Sequence, residues 1–171
     1  MIQTERLSIR RVCADDWKAI QAIWADAAKS IYAQYDRPND LDDRSVSRRI
    51  ETWASFQESK EHLFFAVCLQ DAVIGYAVFH KREDSYEVGY CFHSRYHGKG
   101  YARESVAALL DALRDRGVVR ITAGTALNNA PSVRLLHALG FRLIGTELVS
   151  FYKDEAGSDI KFEGGSFELL F

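Results

Sequence analysis

The sequence predicts a single α+β domain, and three patterns carry that reading. From Tyr86 to Phe92, Val88, Tyr90 and Phe92 alternate with Glu87, Gly89 and Cys91, the period of two that sets different surfaces on the two faces of a strand. Beyond Gly98 and Gly100 the period changes. Val106, Leu109, Leu110 and Leu113 recur at helical spacing as far as Arg116, and Gly117 suits a C-terminal cap. Upstream, Leu63 to Leu69 and Val73 to His80 are apolar runs rich in Phe and Val, separated by Gln70-Asp71-Ala72, the pattern of an antiparallel hairpin. With 171 residues, 47% hydrophobic and 12% aromatic, the chain holds enough apolar material for one core over residues 1–171 and too little length for two ordinary domains.

The remaining elements follow in order. Leu7, Ile9 and Val12 against Arg6, Ser8 and Arg10 predict a first strand with one wet face. Asp15 and Asp16 open a helix whose stripe is Trp17, Ile20, Ile23, Trp24 and Ala27. Ser30 to Asp43, with Pro38-Asn39-Asp40, has loop chemistry, and Val46, Ile50, Trp53 and Phe56 mark a second helix starting after Asp42 or Asp43. Gly75 interrupts the second hairpin strand, as a bulge or, preferably, a close packing contact. Val118 to Thr125 alternates as a strand. Pro131 suits the first turn of a short helix capped by Asn129 or Ala130 and ended by Gly140. Leu143 to Tyr152 and Phe167 to Phe171 complete the strands, with Asp154 to Asp159 as an exposed connection.

The handover from strand to helix at Gly98 and Gly100 has a specific physical use. The first N–H groups of a helix lack internal partners and carry the positive end of its dipole, so they hold anions. Glycines allow the dihedrals that turn successive N–H groups inward into a nest suited to a pyrophosphate. Lys99 and Arg103 add charge at its rim.

His97-Gly98-Lys99-Gly100-Tyr101-Ala102, after Glu87-Val88-Gly89-Tyr90, resembles the acetyl-coenzyme A loop of the GNAT superfamily, with Gly100 and Ala102 in its small positions and His97 where Arg or Gln is usual. Asn129-Ala130-Pro131-Ser132 followed by Leu139-Gly140-Phe141, and the opening Thr4-Glu5-Arg6-Leu7, are similar to the Rim-type ribosomal-protein N-terminal acetyltransferases. The resemblance spans nearly the whole chain. It implies the GNAT fold, a mixed and mostly antiparallel sheet splayed at its central strands, with helices on both faces. It also implies acetyl-CoA as cosubstrate and an amine acceptor, either a protein N-terminus or a small amine. The coenzyme-binding set it implies is Tyr90, Cys91, Phe92, His97, Gly98, Lys99, Gly100, Tyr101, Ala102, Arg103 and Asn129. At a splay, the backbone of Tyr90 to Phe92 loses ladder partners and pairs with pantetheine amides as an added strand would.

Acetyl transfer to an amine needs a base, an oxyanion partner and relief for the departing thiolate. Glu87 is the expected base, directly or through water; its alternative role is an exposed strand carboxylate. Ser132 is the expected thiolate partner or a helix cap, because the Tyr that many family members carry is replaced by Leu136. Asn129 serves as cap, coenzyme contact or both. His93 and His97 titrate near neutrality beside the site but read as loop residues. Cys91 reads as a small strand residue, so direct attack in a ternary complex is favoured over an acetyl-cysteine. The alternative function is a coenzyme-binding sensor without turnover.

A net charge of -2, with basic residues scattered, gives no general attraction to nucleic acid or anionic membrane. Cys13, Cys68 and Cys91 lack metal-ligand spacing, so no metal is expected, and reduced thiols fit a cytoplasmic protein. A monomer or a homodimer is expected.

Overall fold

Edge position, hairpin turns and apolar alternation account for most of the sheet. The structure, a computed structural model, describes residues 1–171. Its elements are β1 (Ile2–Gln3), β2 (Ser8–Arg11), α1 (Trp17–Ala27), α2 (Asp43–Ser55), β3 (His62–Leu69), β4 (Ala72–Arg82), β5 (Ser85–Phe92), α3 (Tyr101–Arg114), β6 (Arg120–Ala126), α4 (Ala130–Ala138), β7 (Arg142–Lys153) and β8 (Asp159–Leu170). Eight strands make one sheet in the order β1-β2-β3-β4-β5-β6-β8-β7. Every neighbouring pair is antiparallel except β5 with β6.

Helices cover both faces of the sheet, because its alternating residues are apolar in both registers across the centre. On one face Val106, Leu109, Leu110 and Leu113 of α3 and Leu136 of α4 pack on Ala77, Phe79, Val88, Ile121 and Phe167. On the other, Ile20 and Trp24 of α1 and Val46 and Ile50 of α2 pack on Phe64, Ala66 and Cys68. Trp53 stacks on Phe64, centroids 4.7 Å apart, so the aromatic stripe of α2 is core.

Local chemistry sets the helix boundaries. Asp42 caps α2 by accepting from the Ser45 amide. The first helix begins at Trp17 with Asp16 as its N-cap residue, where Asp15 and Asp16 were expected to open it, and a 3-10 turn over Ala14–Asp16 leads into it. Asp16 is committed elsewhere: its carboxylate accepts from the Cys13 amide at 2.8 Å and from both Nη atoms of Arg10 at 2.7 Å. Burial works to raise its pKa, but the Arg10 and Cys13 hydrogen bonds prevail and hold it below the ordinary carboxylate value.

The last strand is longer than expected, starting at Asp159 instead of Phe167. Gly164 and Gly165 hide it from a propensity reading. The structure needs those glycines: a Cβ at Gly165 would meet Leu127 at 2.6 Å and Phe167 at 2.9 Å. Gly75 is a packing position, since a Cβ there would overlap the Phe92 ring; it also adjoins a bulge, for Val67 pairs with Gly75 and Cys68 with Val73, which leaves Ile74 of the same strand as the extra residue. Gly75→Ala is expected to cost about 2 kcal/mol of stability, as overpacking of a filled core does. Thermal unfolding against the parent checks it.

Candidate active site

The parallel pair at the sheet's centre is short. β5 meets β6 at Tyr86 with Ile121 and Glu87 with Thr122, and no further. Beyond Glu87 the backbone of β5 has a ladder only with β4, which leaves a slot between two diverging strands. Such an edge offers unpaired N–H and C=O groups. Val88, Tyr90 and Phe92 lie on the α3/α4 face; Cys91 pairs with Tyr76 on the α1/α2 face.

Glu87 stands where the strands part. Its Oε2 accepts from Arg82 Nε at 2.8 Å and is 2.7 Å from Nη2, with the side chain 44% exposed. Its cross-strand neighbour is His80, whose Nδ1 lies 3.0 Å from Nδ1 of His62. Burial and His62 lower the His80 pKa, which favours the neutral ring that this contact requires. Burial pushes the Cys91 thiol up to about 12, helped by Asp36 and Asp26. A thiol so held is a poor nucleophile.

At the mouth of the slot the chain turns through His97 to Gly100 into α3. Gly98 and Gly100 take φ of 71° and 81°, left-handed values that side chains rarely adopt. No side chain caps α3, so its first amides are free for an anion. Ala102 and Tyr101 pack partly into the cluster around Phe92, while Lys99 and Arg103 are exposed. The ring of His97 turns back, its Nε2 lying 2.8 Å from the Phe92 carbonyl oxygen. That carbonyl, expected to face pantetheine, therefore already has a partner in this structure.

Sequence reasoning missed the residues that hold this loop. Arg6 Nη1 donates to the Lys99 carbonyl at 2.9 Å, and its guanidinium lies 4.6 Å from the centroid of the Tyr101 ring. Glu104 in the first turn of α3 accepts from Arg6 Nε at 2.7 Å, from the Arg6 amide at 3.0 Å and from Thr4 Oγ1 at 2.6 Å. In the sequence Thr4 and Arg6 read only as part of the opening strand and its family resemblance, and no local pattern links them to Glu104.

On α4, Asn129 is the helix cap, its Oδ1 accepting from the Ser132 amide at 3.4 Å. The Ser132 hydroxyl is thereby spared for another partner, the Tyr90 phenol at 2.9 Å. Burial raises the Tyr90 pKa against the opposing effect of that hydrogen bond. Leu136, by contrast, is fully in the core. Glu87 and Ser132 thus lie on opposite faces of the sheet, joined through the slot. The connection over residues 30–43 crosses the far strands: Tyr35 packs on Phe162, centroids 5.3 Å apart, and Asn128 Nδ2 is 3.5 Å from the Tyr35 hydroxyl. No cluster of three or more His, Cys, Asp or Glu is arranged to hold a metal ion.

An uncapped helix N-terminus at the mouth of a sheet that opens along one strand calls for comparison with known folds. The family model described as "Acetyltransferase (GNAT) domain" matches residues 6–142. The chain belongs to this family. It is 29% identical over 147 residues to the uncharacterized N-acetyltransferase YnaD of Bacillus subtilis, covering 84% of each chain. The structure of a GNAT-family acetyltransferase from Bacillus anthracis superposes with a TM-score of 0.78 at 26% identity, over 99% of this chain and 97% of that one. RimL, a ribosomal L7/L12 alpha-N-protein acetyltransferase solved with coenzyme A, shares the fold with a TM-score of 0.81 at 13% identity, over 98% and 96%. As a GNAT protein the chain is an acetyl-CoA-dependent N-acetyltransferase, and the splayed, mostly antiparallel sheet expected from its motifs is the one observed.

Burial tends to raise the Glu104 pKa, but hydrogen bonds from Thr4 and Arg6 outweigh it and hold the carboxyl below its ordinary value. A lowered folded-state pKa contributes stability that is complete above the unfolded value and is lost as pH falls through the folded one. Glu104→Gln is therefore expected to reduce stability at neutral pH and to flatten its decline on the acid side. Thermal unfolding of both proteins from neutral to acidic pH reads this directly.

Proposed function

We propose that this acetyltransferase passes an acetyl group from acetyl-CoA to a primary amine, a protein N-terminus or a small amine, by direct attack in a ternary complex. The observation that carries the reading is the slot beyond Glu87, with the uncapped N-terminus of α3 at its mouth. The pyrophosphate would lie on the amides from Gly98 to Arg103, with Lys99 and Arg103 adding charge. Pantetheine would pair with the open backbone of β5 at Tyr90 and Cys91, leaving the thioester between the two faces of the sheet. Asn129 fixes the loop after β6, where a further coenzyme contact would fall.

Holding both reactants in line supplies a large share of the rate, up to roughly 7 to 11 kcal/mol. Glu87 would take the amine's proton on the α1/α2 face, directly or through water, once the acceptor draws it away from Arg82. Ser132 would donate a hydrogen bond to the leaving sulfur on the other face. The high thiol pKa of Cys91 argues against a covalent acetyl-enzyme and for direct attack. RimL, whose acceptor is a protein N-terminus, lends that acceptor class support through shared fold alone. The carboxylates of Asp26 and Asp36, near enough to act on Cys91, favour a cationic amine on this side.

Titration of the purified protein with acetyl-CoA, followed by thiol release over a panel of peptides and small amines, is expected to show binding and turnover with one acceptor class. Binding without release on any amine would instead favour a coenzyme sensor. Glu87→Gln is expected to lower kcat about a hundredfold, with acetyl-CoA affinity intact and the basic group gone from the pH–rate profile. An unaltered profile would remove Glu87 as the base.

A further inference from the structure

The Tyr90 phenol has no part in the scheme so far, yet it is the one side-chain partner of the Ser132 hydroxyl, at 2.9 Å. Three features make that contact more than packing. Asn129 already satisfies the Ser132 amide and caps the helix, so the Ser132 hydroxyl is not needed for capping. Tyr90 is on β5 beyond the last β5–β6 pair, within the stretch whose backbone is open, while its ring packs against the core of the α3/α4 face. The acid position that the fold provides one helical turn further along is occupied by Leu136, buried among apolar neighbours. The two hydroxyls are thus the proton-bearing side-chain groups that meet at the slot on this face.

We propose that Tyr90 acts through Ser132, as a positioning residue, to stabilise the coenzyme thiolate as it leaves. This rests on the coenzyme reading given above. When the C–N bond forms and the C–S bond breaks, the electron pair departs with sulfur and the ammonium proton goes to the base on the opposite face. Ser132 Oγ–H donates to the sulfur anion, and Tyr90 Oη–H donates to Ser132 Oγ. No proton need leave either hydroxyl. A serine hydroxyl alone is a modest donor to sulfur; one that itself accepts a hydrogen bond is polarised and donates more strongly, the cooperativity of a hydrogen-bonded chain. Burial, which keeps the phenol protonated, suits a donor that does not ionise. The arrangement supplies at the sheet what the missing helix residue would supply from α4.

The coenzyme alone provides the test, with no acceptor needed. The thiol of bound coenzyme A is titrated by thiolate absorbance in the parent, Tyr90→Phe, Ser132→Ala and the double variant, each with its Kd. The parent is expected to hold the thiol below its value free in solution. Tyr90→Phe should raise it by about half of the effect of Ser132→Ala, and should add nothing in the Ser132→Ala background. With any acceptor that turns over, Tyr90→Phe should lower kcat about fivefold at unchanged affinity for acetyl-CoA. A bound thiol that titrates alike in the parent and Tyr90→Phe overturns the proposal, as do equal shifts in both backgrounds. Weakened coenzyme binding in Tyr90→Phe with an unmoved thiol assigns the residue to packing and overturns it too. Failure of the parent to bind coenzyme A sinks the coenzyme reading itself, a result distinct from binding with an unshifted thiol.

Discussion

The parting of β5 from β6 after Glu87 is the constraint on which the rest of the structure depends. A strand that loses one ladder must find other partners or stay exposed to ligand, and this one stays exposed at the centre of the sheet. The surrounding elements leave the gap open. The parallel pair holds at Tyr86 and Glu87, β6 turns its remaining ladder wholly to β8, and α3 and α4 bridge the two halves on one face through the shared cluster of Val106, Leu109, Leu136 and Phe167. The sheet is therefore continuous in its core and divided at its rim.

That division gives the two faces different chemistry. On the α1/α2 side, acidic and aromatic groups surround Cys91 and Tyr76, and Trp24 Nε1 donates to the Tyr76 phenol at 2.8 Å. On the α3/α4 side are free helix amides, glycines and neutral hydroxyls. On the proposed reading, an anionic, thioester-bearing ligand and a cationic amine would each be matched to one side, so that the charges of the two reactants would be sorted before they meet.

Much of this was readable from single residues because it depends on short-range pattern. The change from period two to period 3.6 across Gly98 and Gly100 locates the loop and α3, and the hairpin of β3 and β4 falls close to its apolar runs. What escaped notice depends on contacts remote in sequence. The first half of β8 is written in Asp, Lys and two glycines that make sense only beside Leu127 and Val149. Tyr90 was legible as a strand residue expected to face the coenzyme, but its hydroxyl's partner is 42 positions away. The ring of His97, placed by its motif in the loop, is directed by a carbonyl of the preceding strand. Glu104 has no motif at all. Its role is visible only once Thr4 and Arg6 are seen beside it.

The clamp of Arg6 on Glu104 and Lys99 also bears on how the pocket is born. Its partners lie 98 and 93 positions apart, and bringing such distant segments together costs chain entropy before any contact repays it. Arg6, in the bend between β1 and β2, must therefore meet a helix far along the chain before the glycine loop has its support. Until then α3 is a helix with an unanchored start. A ligand that recognises only the supported loop binds the finished fold and draws the folding equilibrium towards it in proportion to its concentration. At the proposed site, acetyl-CoA would in this way add to the stability of the folded chain as well as serve as its cosubstrate.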